Sequence, residues 1–200
     1  MKREELKELH YITPISNVSS ILADGILSYN KATNVNHKSC ASLDVQGRRM
    51  SVIVPGGRPL HDYANLYFNA RNPMMYVLKD KHLSLTVLAI SQNIIEQPGV
   101  IISDCNAARD MALFKPAPDG LELIVPELIY AEDWRHPNPI EYYEHQGKMC
   151  AEVLVPDKID KHYIFKIYVS SSKSNNELTN ICGIATRNLS LVIDSHLFFQ

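Results

Sequence analysis

The stretch from His61 to Leu78, HDYANLYFNARNPMMYVL, constrains the fold more than any other. A polar opening runs into alternating aromatic and apolar residues, then into Asn72-Pro73 and a Pro-Met-Met-Tyr segment able to start a helix. Successive side chains of a strand point to opposite faces, so Tyr67 and Phe68 cannot share one. One ring is expected in a core and the other at a surface or cleft. Pro73 brings a helix-compatible φ to a first-turn position, which places a strand–turn–helix corner here with Arg71 on the turn. By pattern alone this is a core strand capped by a helix.

The chain's 200 residues suit one domain, 1–200, and 46% hydrophobic residues are enough for a sizeable core. The 20 Lys and Arg are nearly balanced by 22 Asp and Glu, so no global positive field advertises nucleic-acid binding. Any DNA contact has to be local and helped by stacking. Four cysteines, Cys40, Cys105, Cys150 and Cys182, are widely spaced without a C-x-x-C pair. With no leader-like stretch, they read as reduced thiols of a cytoplasmic protein, not as a disulfide or zinc framework. No apolar run approaches the roughly 20 residues that span a bilayer. The expectation is a soluble monomer with no metal and no membrane association.

Leu9 to Ile15 reads as a first strand stopped by Pro14, followed by a helix capped by Asn17 or Ser16 and ended by Gly25. Val18, Ile21 and Leu22 form its apolar face. Ser28 to Asp44 has no period and exceeds most connections in compact domains, so it is either mobile or functional. MSVIVPGG, Leu83–Ile90, Val100–Ile102, Ala151–Val155 and Tyr163–Val169 are strand-like. Asn106–Phe114 reads as a helix, Lys115–Lys148 as a long shaped loop, and SSSKSNNELTN as a polar connector before a last strand pair over 183–199. No βαβ spacing, G-x-G-x-x-G or P-loop is present, so a dinucleotide could not sit on a Rossmann crevice. The class is α+β. Within MCAEVLVP, Glu152 is a lone carboxylate in an apolar strand, costly unless exposed or given a job. It alternates with Ala151 and Val153 and could project from a sheet edge into a cleft.

The corner segment resembles the D-Y-x-x-x-Y-F-x-x-R-x-P-M-x-Y signature of the DarT family, toxins that ADP-ribosylate DNA. Asp62, Tyr63, Tyr67, Phe68, Arg71, Pro73, Met74 and Tyr76 stand at the matching places. The likeness extends from Leu9 to Pro156. LHYITP is similar to the family's Y-H-I-T element on the first core strand, which holds the nicotinamide ribose and amide. Here Tyr11 takes the histidine's place and His10 is its neighbour, on the opposite face. Tyr11 and Thr13 share a face, and a phenol can donate to a ribose hydroxyl. VQGRR matches an arginine element, with Arg49 at the fitting spacing and Arg48 the alternative. SDCNAARD is similar to a D-x-N-A-A element that reads as mainly structural, with Asp104 capping a helix.

The resemblance implies an ADP-ribosyltransferase (PARP-like) fold: a split, mostly antiparallel β core surrounded by helices. It implies NAD as substrate, with Tyr11, Thr13, His10, Arg48, Tyr67 and Arg71 around it and Ser28–Arg49 closing over it. Glu152 would be the catalytic acid, supporting positive charge as the nicotinamide bond breaks, and Arg49 would deprotonate or orient the incoming base nitrogen. Lys115–Lys148 would be the substrate-facing loop. Its Trp134, Arg135, His136, Tyr142, Tyr143 and His145 offer the aromatics and cations that single-stranded nucleic acid needs. The implied acceptor is a base in single-stranded DNA, thymine favoured over guanine, and the implied partner an antitoxin with a macrodomain that removes the mark. Transfer to protein or RNA, and a non-catalytic single-strand-binding module, are the alternatives; near-neutral charge argues against the last. Glu152→Ala is expected to keep the fold.

Overall fold

The computed structural model describes residues 1–186 and 189–200. The first strand, β1 (Glu8–Pro14), ends at a residue with no amide N–H to extend a ladder. A 3-10 turn leads into α1 (Val18–Asp24), whose Val18 and Ile21 are buried. Gly25 stops it at φ 89°, hard against the Ile159 carbonyl, where a Cβ has no room. Asn17 does not cap α1 as expected, because its amide is spent on Thr13 and on the backbone of Lys38. Then come β2 (Ile26–Leu27), α2 (Tyr29–Ala32) and α3 (Leu43–Met50), so the aperiodic 28–44 stretch contains one helical turn and the start of a second helix. β3 (Ile53–Val54) and β4 (Arg58–Pro59) pair as a small hairpin.

The signature segment forms β5 (Tyr63–Tyr67) and α4 (Pro73–Val77). The Asn72 side chain accepts the Met75 N–H at 3.0 Å, with Pro73 at the first helical position. The corner legible in the sequence is therefore held by an N-cap. The rest of the chain supplies β6 (Leu85–Ser91), β7 (Ile101–Ser103), β8 (Phe114–Pro116), α5 (Pro126–Ile129) and α6 (Pro139–Lys148). After them follow β9 (Glu152–Pro156), β10 (Lys158–Ile159), β11 (Ile164–Val169), α7 (Ser172–Cys182) and β12 (Ser190–Ile193).

Several segments depart from expectation. Asn106–Phe114 is a run of turns, not a helix, because the Asp104 carboxylate takes the Leu113 N–H and the Lys148 ammonium instead of helix amides. Lys115–Lys148 is not mainly loop but carries most of β8, a 3-10 turn, α5 and α6. SSSKSNNELTN lies mostly in α7, capped by Ser171, which accepts the Ser174 N–H. Its buried face is Ser174, Leu178 and Cys182, too polar a stripe for hydropathy to reveal. The strand pair expected over 183–199 includes 187 and 188, which lie outside the described residues. Among the described ones that stretch is a 3-10 turn, β12 and a second 3-10 turn.

Eight strands form one sheet in the order β12-β11-β6-β1-β5-β9-β7-β8. Among the described residues every pairing in it is antiparallel except β11 with β12. This is the α+β, mostly antiparallel core that the sequence led us to expect. β1 pairs β6 over seven positions and β5 pairs β9 over five, yet β1 and β5 meet at His10↔Tyr67 alone. Two half-sheets are thus pinned at one point and diverge toward the C-terminal end of β1. One face of the sheet buries Leu9, Leu66, Phe68, Leu88, Val153 and Ile167 with α1 and α7. The other buries Ile12, Tyr67, Met75, Val87, Cys150 and Phe198. Tyr67 and Phe68 obey alternation, but both are buried, at 7% and 1% exposure, so neither ring faces an open surface.

The C-terminal residues return to the signature corner. Arg71 donates to the carbonyls of His196, at 2.7 Å, and Phe198, at 3.3 Å, and its guanidinium lies 4.0 Å from the Phe199 ring centroid. Phe199 in turn meets Tyr76 and Trp134 edge to face. Arg71→Ala removes these charge-assisted bonds and the cation–π contact together, and should cost about 2 kcal/mol. Denaturant unfolding measures that loss, and amide exchange at residues 195–200 should quicken; unchanged exchange there would show that Arg71 does not hold the segment.

Candidate active site

Residues directly opposite one another on neighbouring strands carry their side chains on the same face. His10 opposes Tyr67, Tyr67 opposes Glu152, and Glu152 opposes Ser103. These four make a polar row across the sheet, centred on the point where its halves are pinned. β9 lies between β5 and β7, so Glu152 projects from the interior of the sheet and not from an edge. Its exposure is 0%.

A buried carboxylate keeps its charge only if paired and hydrogen-bonded. Arg49, on α3, supplies the partner through two parallel bonds, Nη1 to Oε1 at 2.9 Å and Nη2 to Oε2 at 3.0 Å. The Ala107 N–H donates a further bond to Oε1 at 3.1 Å, from the turn that replaced the expected helix. Burial disfavours the guanidinium charge, but the Glu152 carboxylate outweighs it and holds the Arg49 pKa above its ordinary value. Tyr67 is pushed well above the usual phenol range by burial and by Glu152, and its OH donates to the Met74 sulfur at 3.1 Å. Arg48 lies exposed on α3, away from this pair. Of the two adjacent arginines, the structure brings Arg49 to Glu152.

Helix α3 has a second anchor, since Gln46 hydrogen-bonds His61 at 3.1 Å and Tyr29 stacks on His61 with centroids 4.1 Å apart. Burial and the nearby Arg49 charge lower the His61 pKa. Asn30 donates to Asp62, tying α2 to the signature segment at 2.7 Å. Where β1 and β5 diverge, Asn17 grips the Lys38 backbone, donating to its carbonyl at 2.8 Å and accepting its N–H at 3.0 Å. The same amide reaches Thr13 at 3.1 Å, and the Cys40 thiol points at the Ile12 carbonyl. The aperiodic segment therefore crosses the mouth of the split beside Thr13.

Tyr11 is packed with the core on the other face of β1, so the structure does not bring it to Glu152. His10 does share the Glu152 face and is buried. Its Nε2 contacts the Glu8 carboxylate at 3.1 Å, while Nδ1 is buried with no partner among the described residues. An orphaned buried polar atom costs about 1–3 kcal/mol, a cost that a ligand hydroxyl would relieve. Burial raises the Glu8 pKa, but hydrogen bonds from His10 and Tyr168 prevail and hold it down to about 2.

The aromatic residues of 134–145 are divided. Trp134 is buried in the trio with Tyr76 and Phe199. His145 is buried too; its Nε2 donates to the Leu128 carbonyl at 2.9 Å, so its Nδ1 accepts from His136 at 2.8 Å. Arg135 is exposed and paired with Asp133. Tyr142 and Tyr143 are exposed on α6. Arg109, which the sequence did not single out, stacks 3.8 Å from the Tyr143 centroid and donates to its carbonyl at 2.7 Å. Arg71 is committed to the C-terminal segment. Glu8, Gln46, His61, Asn17 and the Ala107 amide were also missed; only Glu8 carried a signal, as a second polar residue on the His10 face of β1. Among the described residues no cluster of three His, Cys, Asp or Glu could hold a metal, and no helix is long and apolar enough to cross a membrane.

Known proteins resemble this chain in sequence and in fold. A family model described as "ssDNA thymidine ADP-ribosyltransferase, DarT" matches residues 10–199. A DNA ADP-ribosyl transferase–DNA ADP-ribosyl glycohydrolase fusion protein of Thermosipho africanus is 32% identical over 202 residues, covering 96% of this chain and 50% of the relative. A DNA ADP-ribosyl transferase of Thermus sp. 2.9 is 28% identical over 194 residues, covering 90% of each. The structure of Thermosipho africanus DarTG in complex with ADP-ribose superposes with a TM-score of 0.82 at 30% identity, over 96% of this chain and 51% of that one. Thermus sp. 2.9 DarT in complex with ADP-ribosylated ssDNA gives 0.85 at 25% identity, over 98% and 97%. The chain spans about half the length of the Thermosipho relative it matches.

Two measurements test the electrostatics. Glu152→Ala leaves a buried guanidinium unpaired, so against the sequence expectation it should destabilise the fold, by about 3–5 kcal/mol. Combined with Arg49→Ala the loss should fall well short of the sum, and additive losses in a double-mutant cycle would dismiss the coupling. For Glu8, a folded-state pKa near 2 against a usual 4.5 means its stabilisation is complete above pH 4.5 and is lost as the pH falls toward 2. The stability gap between wild type and Glu8→Gln in urea titrations should narrow over that window; a constant gap would contradict it.

Proposed function

The chain belongs to the DarT family, whose model spans residues 10–199, and on that premise we propose that it transfers ADP-ribose from NAD to a thymine base in single-stranded DNA, releasing nicotinamide. The observation that carries this reading is the buried Arg49–Glu152 pair at the pin of a split sheet, in one row with His10 and Tyr67. NAD supplies the ADP-ribosyl group through the bond joining ribose to nicotinamide. The residues present suit it: an unpartnered His10 Nδ1, the diverging strands β1 and β5, and the 33–42 segment across their mouth.

Glu152, fixed in place by Arg49 and the Ala107 amide, supports positive charge at the ribose as its bond to nicotinamide breaks. The raised pKa of Arg49 favours orienting the incoming base over taking its proton, which is released to water as the base nitrogen bonds to the ribose carbon and nicotinamide departs. His10 holds the donor and Tyr67 lines the site as a neutral phenol, while Thr13, on the Tyr11 face, anchors the Asn17 amide. Tyr142, Tyr143 and Arg135 offer the exposed faces for bases flanking the target, while Trp134, His136 and His145 keep the shape of the segment that presents them. A base in duplex has its Watson–Crick edge occupied, and freeing it costs a few kcal/mol, which this near-neutral chain cannot offset by gripping phosphates. Single strands are therefore the substrate. The Thermosipho relative joins the transferase to a glycohydrolase, which supports a partner that removes the mark, a macrodomain antitoxin. A single catalytic domain over 1–200, acting as a cytoplasmic monomer, completes the proposal.

The test is a mass spectrum of thymine-containing oligonucleotides after incubation with NAD. The single strand should gain one ADP-ribose, its annealed duplex should not, and Glu152→Gln should slow transfer by at least about 100-fold. Label on protein or RNA in place of DNA would overturn the acceptor. Retention on DNA without NAD consumption would overturn catalysis altogether.

A further inference from the structure

Three side chains behind His10, those of Glu8, Tyr168 and Lys166, form with it a network of fixed direction. Lys166 donates to Glu8 Oε2 at 3.1 Å and to the Tyr168 oxygen at 2.9 Å. The Tyr168 hydroxyl donates to Glu8 Oε1 at 2.6 Å, and the His10 Nε2 meets the same oxygen at 3.1 Å. The register explains why they meet. Lys166 opposes Ala89 and Tyr168 opposes Val87, while Ala89 and Val87 oppose His10 and Ile12. Lys166, Tyr168, Glu8 and His10 therefore share the face that carries Tyr67 and Glu152.

An ionised carboxylate only accepts hydrogen bonds, and Glu8 is held ionised down to a pH of about 2. The imidazole nitrogen that faces it must then carry the proton. In the neutral ring this leaves Nδ1 as a bare acceptor, and Nδ1 is the atom buried without a partner among the described residues. The ring is boxed in as well, with Tyr168 edge-on at 6.3 Å.

We propose that Glu8 is a positioning residue: it fixes His10 in the Nε2–H tautomer, so that Nδ1 stands as a preset acceptor for a ribose hydroxyl of the donor dinucleotide. The inference rests on the function proposed above but makes a separate claim. Tyr168 and Lys166 hold the carboxylate, the carboxylate holds the imidazole, and the imidazole touches substrate. Glu8 itself touches none. Without the carboxylate nothing holds the proton on Nε2, the tautomer bearing hydrogen on Nδ1 gains population, and that tautomer presents a donor where the preset acceptor stood.

Three readouts decide. In the wild-type protein without NAD, nitrogen-15 correlation spectra should show His10 protonated at Nε2; protonation at Nδ1 would overturn the proposal. Glu8→Ala should mix the tautomers and raise KM for NAD about tenfold while kcat changes little, the pattern of a contact held equally in the ground and transition states. Glu8→Gln keeps a carbonyl acceptor for the Nε2 proton and should restore both the tautomer and a KM within about threefold of wild type. A merely structural role for Glu8 would lower the melting temperature of Glu8→Ala yet leave tautomer and KM unmoved, and that outcome would also overturn the proposal. Should Glu8→Ala fail to fold, the wild-type spectrum and the Glu8→Gln kinetics still decide: a mixed tautomer in either protein, or a tenfold KM rise in Glu8→Gln, sinks it. The spectrum needs no activity, so absence of transfer would strike the proposed function alone.

Discussion

A carboxylate with no solvent exposure and a guanidinium beside it, joined by two parallel bonds, is the constraint on which this structure turns. Such a pair is a poor device for stability, because desolvating both charges uses up most of what their attraction returns. Apolar residues of the same volume would serve a core as well or better. What the pair does achieve is positional. It fastens α3 to β9, the third strand from the sheet's β8 edge, and it fixes the orientation of a carboxylate otherwise free to rotate. Ala107 contributes its backbone N–H to the same oxygen, so three separated parts of the chain converge on one carboxyl group.

That convergence coincides with the one place where the sheet is weakest. β1 and β5 share a single opposed pair, and the ladder lapses beyond it. Unpaired strand edges inside a fold ask for partners, and here the crossing segment, held by Asn17, supplies one through the Cys40 thiol at the Ile12 carbonyl. Pin, polar row and crossing segment therefore depend on one another. A sheet paired along its full length would have no split, and one with no pin would let His10 and Glu152 drift apart.

Much of this could be read from residues alone, and the boundary is physical. Alternation put Tyr67 and Phe68 on opposite faces, and Asn72-Pro73 announced the corner, because both are local effects. A lone glutamate in MCAEVLVP was legible as a group with a task, but its depth was not, since that depends on β5 and β7, distant in sequence. Alternation likewise separated His10 from Tyr11 without saying which faced Glu152; only the register decides that. Trp134 read as a stacking platform because its packing partners, Tyr76 and Phe199, arrive from elsewhere in the chain. Helix α7 escaped because two apolar positions and a serine make its buried stripe.

The Asn17 clasp on Lys38 has an evolutionary consequence. It is made wholly to the peptide group: one carbonyl and one N–H, with no demand on the lysine side chain. Recognition of that kind is blind to residue identity. The path of the segment over the split is specified from α1's threshold, by one asparagine, while the letters of the segment itself are left free to drift. Lineages that share the asparagine can therefore keep the same crossing with unrelated sequences in it, and the covering strip, unlike the row beneath it, should be where family members look least alike.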